Sequence, residues 1–161
     1  MSKKKIENVR INDFEIPKEL QNRRRILITV HESDHSIKTL SFVKEHILKK
    51  DDFVMLLMAM KRTIIPYLLT VDALKTIEDE ELKREAFDMS NYLDHFDQYE
   101  KMGYLVQGEN PRDTLVKAIE ELKPTIIATG SHGKGVFKRL FSGSTSEYLL
   151  HHAKIPIMIV K

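Results

Sequence analysis

Residues 31–35 read His-Glu-Ser-Asp-His, which spells H-E-x-x-H. Two histidines four residues apart can ligate zinc when both project from one face of a helix. The flanking residues do not allow that geometry. Residues 25–30, Arg-Ile-Leu-Ile-Thr-Val, form an apolar, β-branched run typical of a strand buried on both faces. His31 follows at once, and Ser33 or Asp34 has the character of a helix N-cap. The two imidazoles are therefore expected to flank a strand-to-helix corner, and spacing suggests no third ligand. The useful feature is the place of His31, at the carboxyl end of a first strand, where open α/β sheets bind ligands.

A second chemistry lies in residues 128–160. Gly130 ends a strand-like run, Gly133 follows three residues later, and Gly143-Ser144 comes after nine more. Neither a Walker A loop nor a G-x-G-x-x-G fingerprint can be read here. The physics of a phosphate site is nevertheless present. Gly130 and Gly133 let the backbone approach an anion and turn its N–H groups inward. Gly143, Ser144 and Thr145 precede a helix, whose free N–H groups and macrodipole favour negative charge. Ser144 has two readings, a helix cap or a donor to a phosphate oxygen. Lys134, Lys138 and Arg139 add positive charge. Each glycine taken singly reads as an ordinary strand end or cap; together on one loop they favour a phosphate site.

These residues resemble the universal stress protein family, whose nucleotide-binding members carry G-x2-G-x9-G-[ST], matched by Gly130, Gly133, Gly143 and Ser144. The stretch SEYLLHHAKIPIMIV resembles the family's last helix and strand, RRRILITVHESDHS its first strand and turn, and VMLLMAM its second strand. The resemblance covers roughly residues 24–161 and implies a flavodoxin-like domain of strand order 3-2-1-4-5 that binds ATP, or AMP or ADP. By that resemblance the ATP-binding set is His31, Ala59, Thr129, Gly130, Ser131, His132, Gly133, Gly143, Ser144 and Thr145. The loop glycines, Ser144 and Thr145 would hold phosphates and ribose, and Ala59 would meet the adenine through its main chain. His31 stands where the family typically has an aspartate. Histidine accepts a hydrogen bond only through an unprotonated nitrogen, so adenosine recognition is open to change there.

Binding does not establish hydrolysis, which needs an activated water near the γ-phosphate. His132, Glu32 and Asp34 are the candidates that could come near it; each also reads as a passive loop or helix-start residue. Mg2+ is expected only with the nucleotide, since no dedicated cage is apparent. His95, between Asp94 and Asp97, reads as a solvated helix position, and His151-His152 as one packed and one exposed residue.

The elements that must position these groups alternate along the chain. After the strand at 25–30, Ile37, Leu40, Val43 and Ile47 recur at helical spacing from Ser33 to about Lys49. Residues 52–60 read as a second buried strand, 61–71 as an irregular connection, and Val71 to Glu100 as a long amphipathic helix with room for an interruption. A third strand is expected at 103–107, a helix opened by Pro111 and running to Leu122, a fourth strand at 125–129, a helix from Ser144 to Ala153, and a fifth strand in IPIMIVK. Strands alternating with helices predict a single doubly wound, five-stranded parallel sheet of the flavodoxin or Rossmann-like α/β class. The division expected is a basic extension over 1–24 and a nucleotide-binding domain over 25–161.

Composition supports an intracellular, cytoplasmic domain. The 161 residues contain no cysteine, which removes disulfides and thiol chemistry, and no apolar run long enough for a membrane span. Residues 1–25 hold eight Lys and Arg against four Asp and Glu. Phe14 is the one aromatic there, so nucleic-acid stacking is not expected and a solvated arm is. The apolar final strand, 155–160, would lie at a sheet edge and is expected to pair in a homodimer, as is common in the family it resembles. Two functions follow: an adenine-nucleotide-binding regulatory module with at most slow hydrolysis, acting in stress response or signalling, or a nucleotide-free dimeric adaptor. A response-regulator receiver is set aside, because the third strand ends VQGEN without the aspartate it needs.

Overall fold

A computed structural model describes residues 8–31, 34–62, 71–131 and 145–161, with side chains for all of these but 34–35 and 71–79. The order is β1 (Val9–Ile11), β2 (Arg25–Thr29), α1 (Asp34–His46), β3 (Phe53–Lys61), α2 (Val71–Leu93), β4 (Glu100–Gly108), α3 (Pro111–Leu122), β5 (Ile126–Gly130), α4 (Thr145–His152) and β6 (Ile157–Val160). The strands form one sheet in the order β1-β4-β3-β2-β5-β6, with every pairing parallel.

The period-two alternation of the central strands builds two apolar layers. Ile26, Ile28 and Val30 join Leu40 and Val43 of α1 and Ala86, Met89 and Leu93 of α2 on one face. Leu27 lies on the other, with Leu115, Ala118, Ile119 and Leu122 of α3 and Leu149 of α4. Burial on both faces explains why β2 and β3 read as continuous apolar runs. The start of α3 is specified locally. Pro111 occupies its first turn, the Asn110 side chain accepts the Arg112 N–H at 3.1 Å, and Lys123 closes the helix in the left-handed region at φ 45°.

Four expectations need correction. Among the described residues the sheet has six strands, not five in the order 3-2-1-4-5; the five that sequence identified keep their relative order, and β1 is added outside β4. Residues 8–24 are accordingly no solvated arm. Val9–Ile11 pair with Gly103–Leu105, Leu20 is buried, and Phe14 and Ile16 pack beneath the α3 layer. The long helix ends at Leu93, and a single 3-10 turn, Asp94–Phe96, leads into β4 at Glu100. Phe96 is fully buried from that turn, so its apolar step continues the helical rhythm after the α-helix has ended. Finally, His151 and His152 are both exposed; the His152 ring stacks on Tyr148 at 3.9 Å between centroids.

Candidate functional site

Strand order sets where a crevice can open. From β2 the chain moves outward through β3 to β4, then crosses back to β5 on the other side of β2. The adjacent carboxyl ends of β2 and β5 are thus the topological switch point, the usual ligand crevice of open α/β sheets. The register pairs Ile28 with Ala128, which brings Thr29 level with Thr129. Their hydroxyls meet at 2.8 Å, with Thr29 3% and Thr129 2% exposed. Two buried hydroxyls that satisfy one another hold the rims of the switch point together without a bulky side chain.

His31 stands just past β2 and ahead of α1, so it is outside the helix that a zincin motif requires. Its main chain is tightly engaged. The His31 N–H donates to Ser36 Oγ at 2.9 Å, while the His31 carbonyl accepts from Ser36 Oγ at 3.0 Å and from the Tyr92 hydroxyl at 3.1 Å. A carbonyl oxygen has two lone pairs, and these two hydroxyls use both. The His31 main chain is therefore committed to the protein's own hydroxyls.

On the opposite rim, Gly130 ends β5 and the Ser131 N–H donates to the Val160 carbonyl at 2.8 Å, fixing the start of the loop against β6. Thr145 opens α4 and is 8% exposed. The Tyr148 hydroxyl donates to Asp113 Oδ1 in the first turn of α3, which keeps the N-terminal turns of both helices on the same edge. That bond raises the Tyr148 hydroxyl above its ordinary pKa. Ala59 lies near the carboxyl end of β3, paired with Val106 and half-buried.

Of the residues read as candidates, His31, Ala59, Thr129, Gly130, Ser131 and Thr145 thus share the carboxyl edge. His132, Gly133, Gly143 and Ser144 lie outside the described residues, as do Glu32 and Ser33. Sequence reading missed Thr29, Ser36 and Tyr92. Thr29 had a signal, a lone hydroxyl in an otherwise apolar strand interior; Tyr92 had none, because its target is 61 residues away. Among the described residues, no group of three or more His, Asp or Glu could hold a metal ion.

A sequence model of the universal stress protein family matches residues 22–161. The chain belongs to that family.

Among solved structures it is similar to the hypothetical protein MJ0577, at 25% identity and a TM-score of 0.66, covering 86% of this chain and 95% of that one. A universal stress protein family protein from Arabidopsis thaliana with AMP bound shares the fold at 15% identity and a TM-score of 0.57, over 85% and 90% of the two chains. A universal stress protein A-like protein from Arabidopsis thaliana is 31% identical over 52 residues, which are 32% of this chain and 30% of that protein. The chain thus matches less than a third of that curated relative's length. No helix among the described residues is long and apolar enough to cross a membrane.

Proposed function

We propose that this universal stress protein family member is an adenine-nucleotide-binding regulatory module, with the ligand seated over the carboxyl ends of β2, β3 and β5. The observation that carries this reading is the switch point bridged by Thr29 and Thr129 at 2.8 Å, with Gly130 ending β5 and Thr145 opening α4 on the same edge. ATP, ADP or AMP would lay its adenosine near His31 and the Ala59 main chain. Its phosphates would meet Gly130, Ser131, His132, Gly133, Gly143, Ser144 and Thr145. The AMP-bound relative of the same fold supports the ligand class. Mg2+ would arrive with the nucleotide, and hydrolysis would be slow at most. We place the module in the cytoplasm, in stress response or signalling, as a homodimer through residues 155–160, since β6 ends the sheet with Ile157–Ile159 half-exposed.

Mass spectrometry of small molecules released on heat denaturation tests the binding reading, with calorimetry of ATP and AMP alongside. Heat from the parent that vanishes in a Gly133→Ala, Gly143→Val double variant supports it. No heat and no copurified nucleotide would leave the second reading, a nucleotide-free dimeric adaptor, which His31 in the family's aspartate position favours. Light scattering that returns a monomer mass at micromolar concentration would remove the dimer from both.

A further inference from the structure

α4 has a slender apolar anchor. Thr145–His152 is eight residues, about 12 Å of helix, and Leu149 is its one fully buried apolar side chain. α3, packed beside it, buries Leu115, Ala118, Ile119 and Leu122. The first turn of α4 buries only the small side chains of Thr145 and Ser146. A short helix pinned by apolar contact near its middle can pivot there, and a pivot displaces its ends most. Those ends include the first-turn N–H groups, which have no partner within the helix.

Tyr148 supplies a second fixed point, off the axis. It is half-buried, and its hydroxyl donates to Asp113 Oδ1, a charged acceptor that strengthens the bond. Its ring is held from two sides. The His152 ring stacks on it at 3.9 Å between centroids and 18° between planes. The Arg112 guanidinium carbon lies 5.8 Å from the ring centroid, within cation–π reach. His152 is itself fixed, since its Nδ1 lies 2.8 Å from the Tyr148 carbonyl. A carbonyl can only accept, so that nitrogen carries the proton.

The far end of the tether is a firm platform. Asp113 lies in the first turn of α3, where the Thr114 hydroxyl donates to the Asn110 carbonyl at 2.8 Å. That turn sits directly on the end of β4. A Cβ at Gly108 would stand 2.0 Å from Thr114 Oγ1, so only glycine permits the approach.

We propose that Tyr148 is a positioning residue for the nucleotide. Through Asp113 it fixes the tilt of α4, and with it the Thr145 and Ser146 N–H groups that would meet the phosphates. This rests on the nucleotide reading above and adds to it the device that aims the phosphate side of the site. Adenosine, seated over β2 and β3, does not draw on α4, so the contribution is confined to ligands that carry phosphate.

Calorimetry of the full chain with ATP, and with adenosine by competition against ATP, decides this for the parent, Tyr148→Phe, Asp113→Ala and the double variant. Either single variant should weaken ATP about fivefold and leave adenosine within about twofold. The double variant should bind ATP no more weakly than the singles, because both remove the same bond. Unchanged ATP affinity in Tyr148→Phe would make the bond a contribution to stability alone and overturn the proposal. So would equal losses of ATP and adenosine, or losses that add in the double variant. A parent that binds no ATP would instead remove the nucleotide reading, and the positioning role with it.

Discussion

The two rims of the sheet are held in different ways. At the amino rim long cations do the work. Arg24 donates from Nε to Asp52 Oδ1 at 2.8 Å, and from Nη2 to Asp52 Oδ2 at 2.6 Å and to the Ile47 carbonyl at 2.8 Å. The Asp52 hydrogen bond raises the Arg24 pKa further, so the guanidinium stays charged. Beside it Arg25 reaches across to the Lys123 carbonyl from Nε at 3.0 Å and Nη2 at 2.6 Å. At the carboxyl rim the same strands are tied by short neutral hydroxyls: Thr29 to Thr129, and Ser36 and Tyr92 to His31. Guanidinium forks tie one end through a carboxylate and main-chain carbonyls. Short neutral hydroxyls fix the backbone at the other, the kind of locked scaffold on which a ligand site is built.

The division of labour can be broken most severely at Arg24. Its loss leaves the Asp52 side chain, only 4% exposed, with the Lys49 N–H as its remaining hydrogen bond. Arg24→Ala should cost about 3 kcal/mol in urea unfolding and leave ATP affinity within about twofold, since the carboxyl rim is untouched. A parallel fall in affinity would show that the rims are not separable.

Thr29→Val attacks the opposite rim. It leaves the buried Thr129 hydroxyl without its partner and should cost about 2 kcal/mol. The Thr29→Val, Thr129→Val double variant should recover most of that stability while still binding ATP more weakly than the parent. Recovered stability with full affinity would make the hydroxyl bridge a packing feature and nothing more.

Between the rims, Tyr104 offers a control that belongs to neither. It is fully buried and its hydroxyl donates to the Glu15 carbonyl at 3.1 Å. Burial pushes its pKa up from the ordinary value of 10.0. A raised native pKa means that the neutral phenol stabilises the fold completely below pH 10 and progressively less as pH climbs above it. Urea unfolding at pH 11 should therefore show about 1.4 kcal/mol less stability than at pH 9 from this residue. Tyr104→Phe should lose that part of the slope; an unchanged slope would assign it elsewhere.

The smallest effect is expected from Tyr92→Phe, which removes one of the two hydroxyls on the His31 carbonyl. About 1 kcal/mol of stability should go, with a disproportionate loss of nucleotide affinity if His31 must be held still to bind. Equal affinities of parent and variant, measured by calorimetry, would detach α2 from the site.

Legibility followed the range of the interaction that fixes each element. α3 was readable because Pro111 marks its first turn locally; the structure adds the Asn110 cap and a left-handed Lys123 at its end. The buried runs of β2 and β3 announced themselves by composition. β1 did not, because three residues carry no usable period and this strand exists only through its pairing with Gly103–Leu105. The 3-10 turn at Asp94–Phe96 was masked by Phe96, whose burial preserved the apolar spacing. At the candidate site His31, Gly130 and Thr145 could be placed from strand and helix boundaries. The partners of His31, Ser36 and Tyr92, could not, since hydroxyls on helices have many destinations.

Local chemistry alone determined that this chain alternates buried strands with helices, that it carries no thiol, and that glycines stand at 130, 133 and 143. Those properties reside in single residues and short spacings. Only the tertiary structure decided that the N-terminal segment becomes a sixth strand, that Thr29 and Thr129 meet across the switch point, and that the Tyr148 hydroxyl reaches Asp113. Each of these depends on backbone segments distant in sequence being brought to one edge, and sheet pairing, which costs chain entropy over long loops, is repaid only by the whole fold.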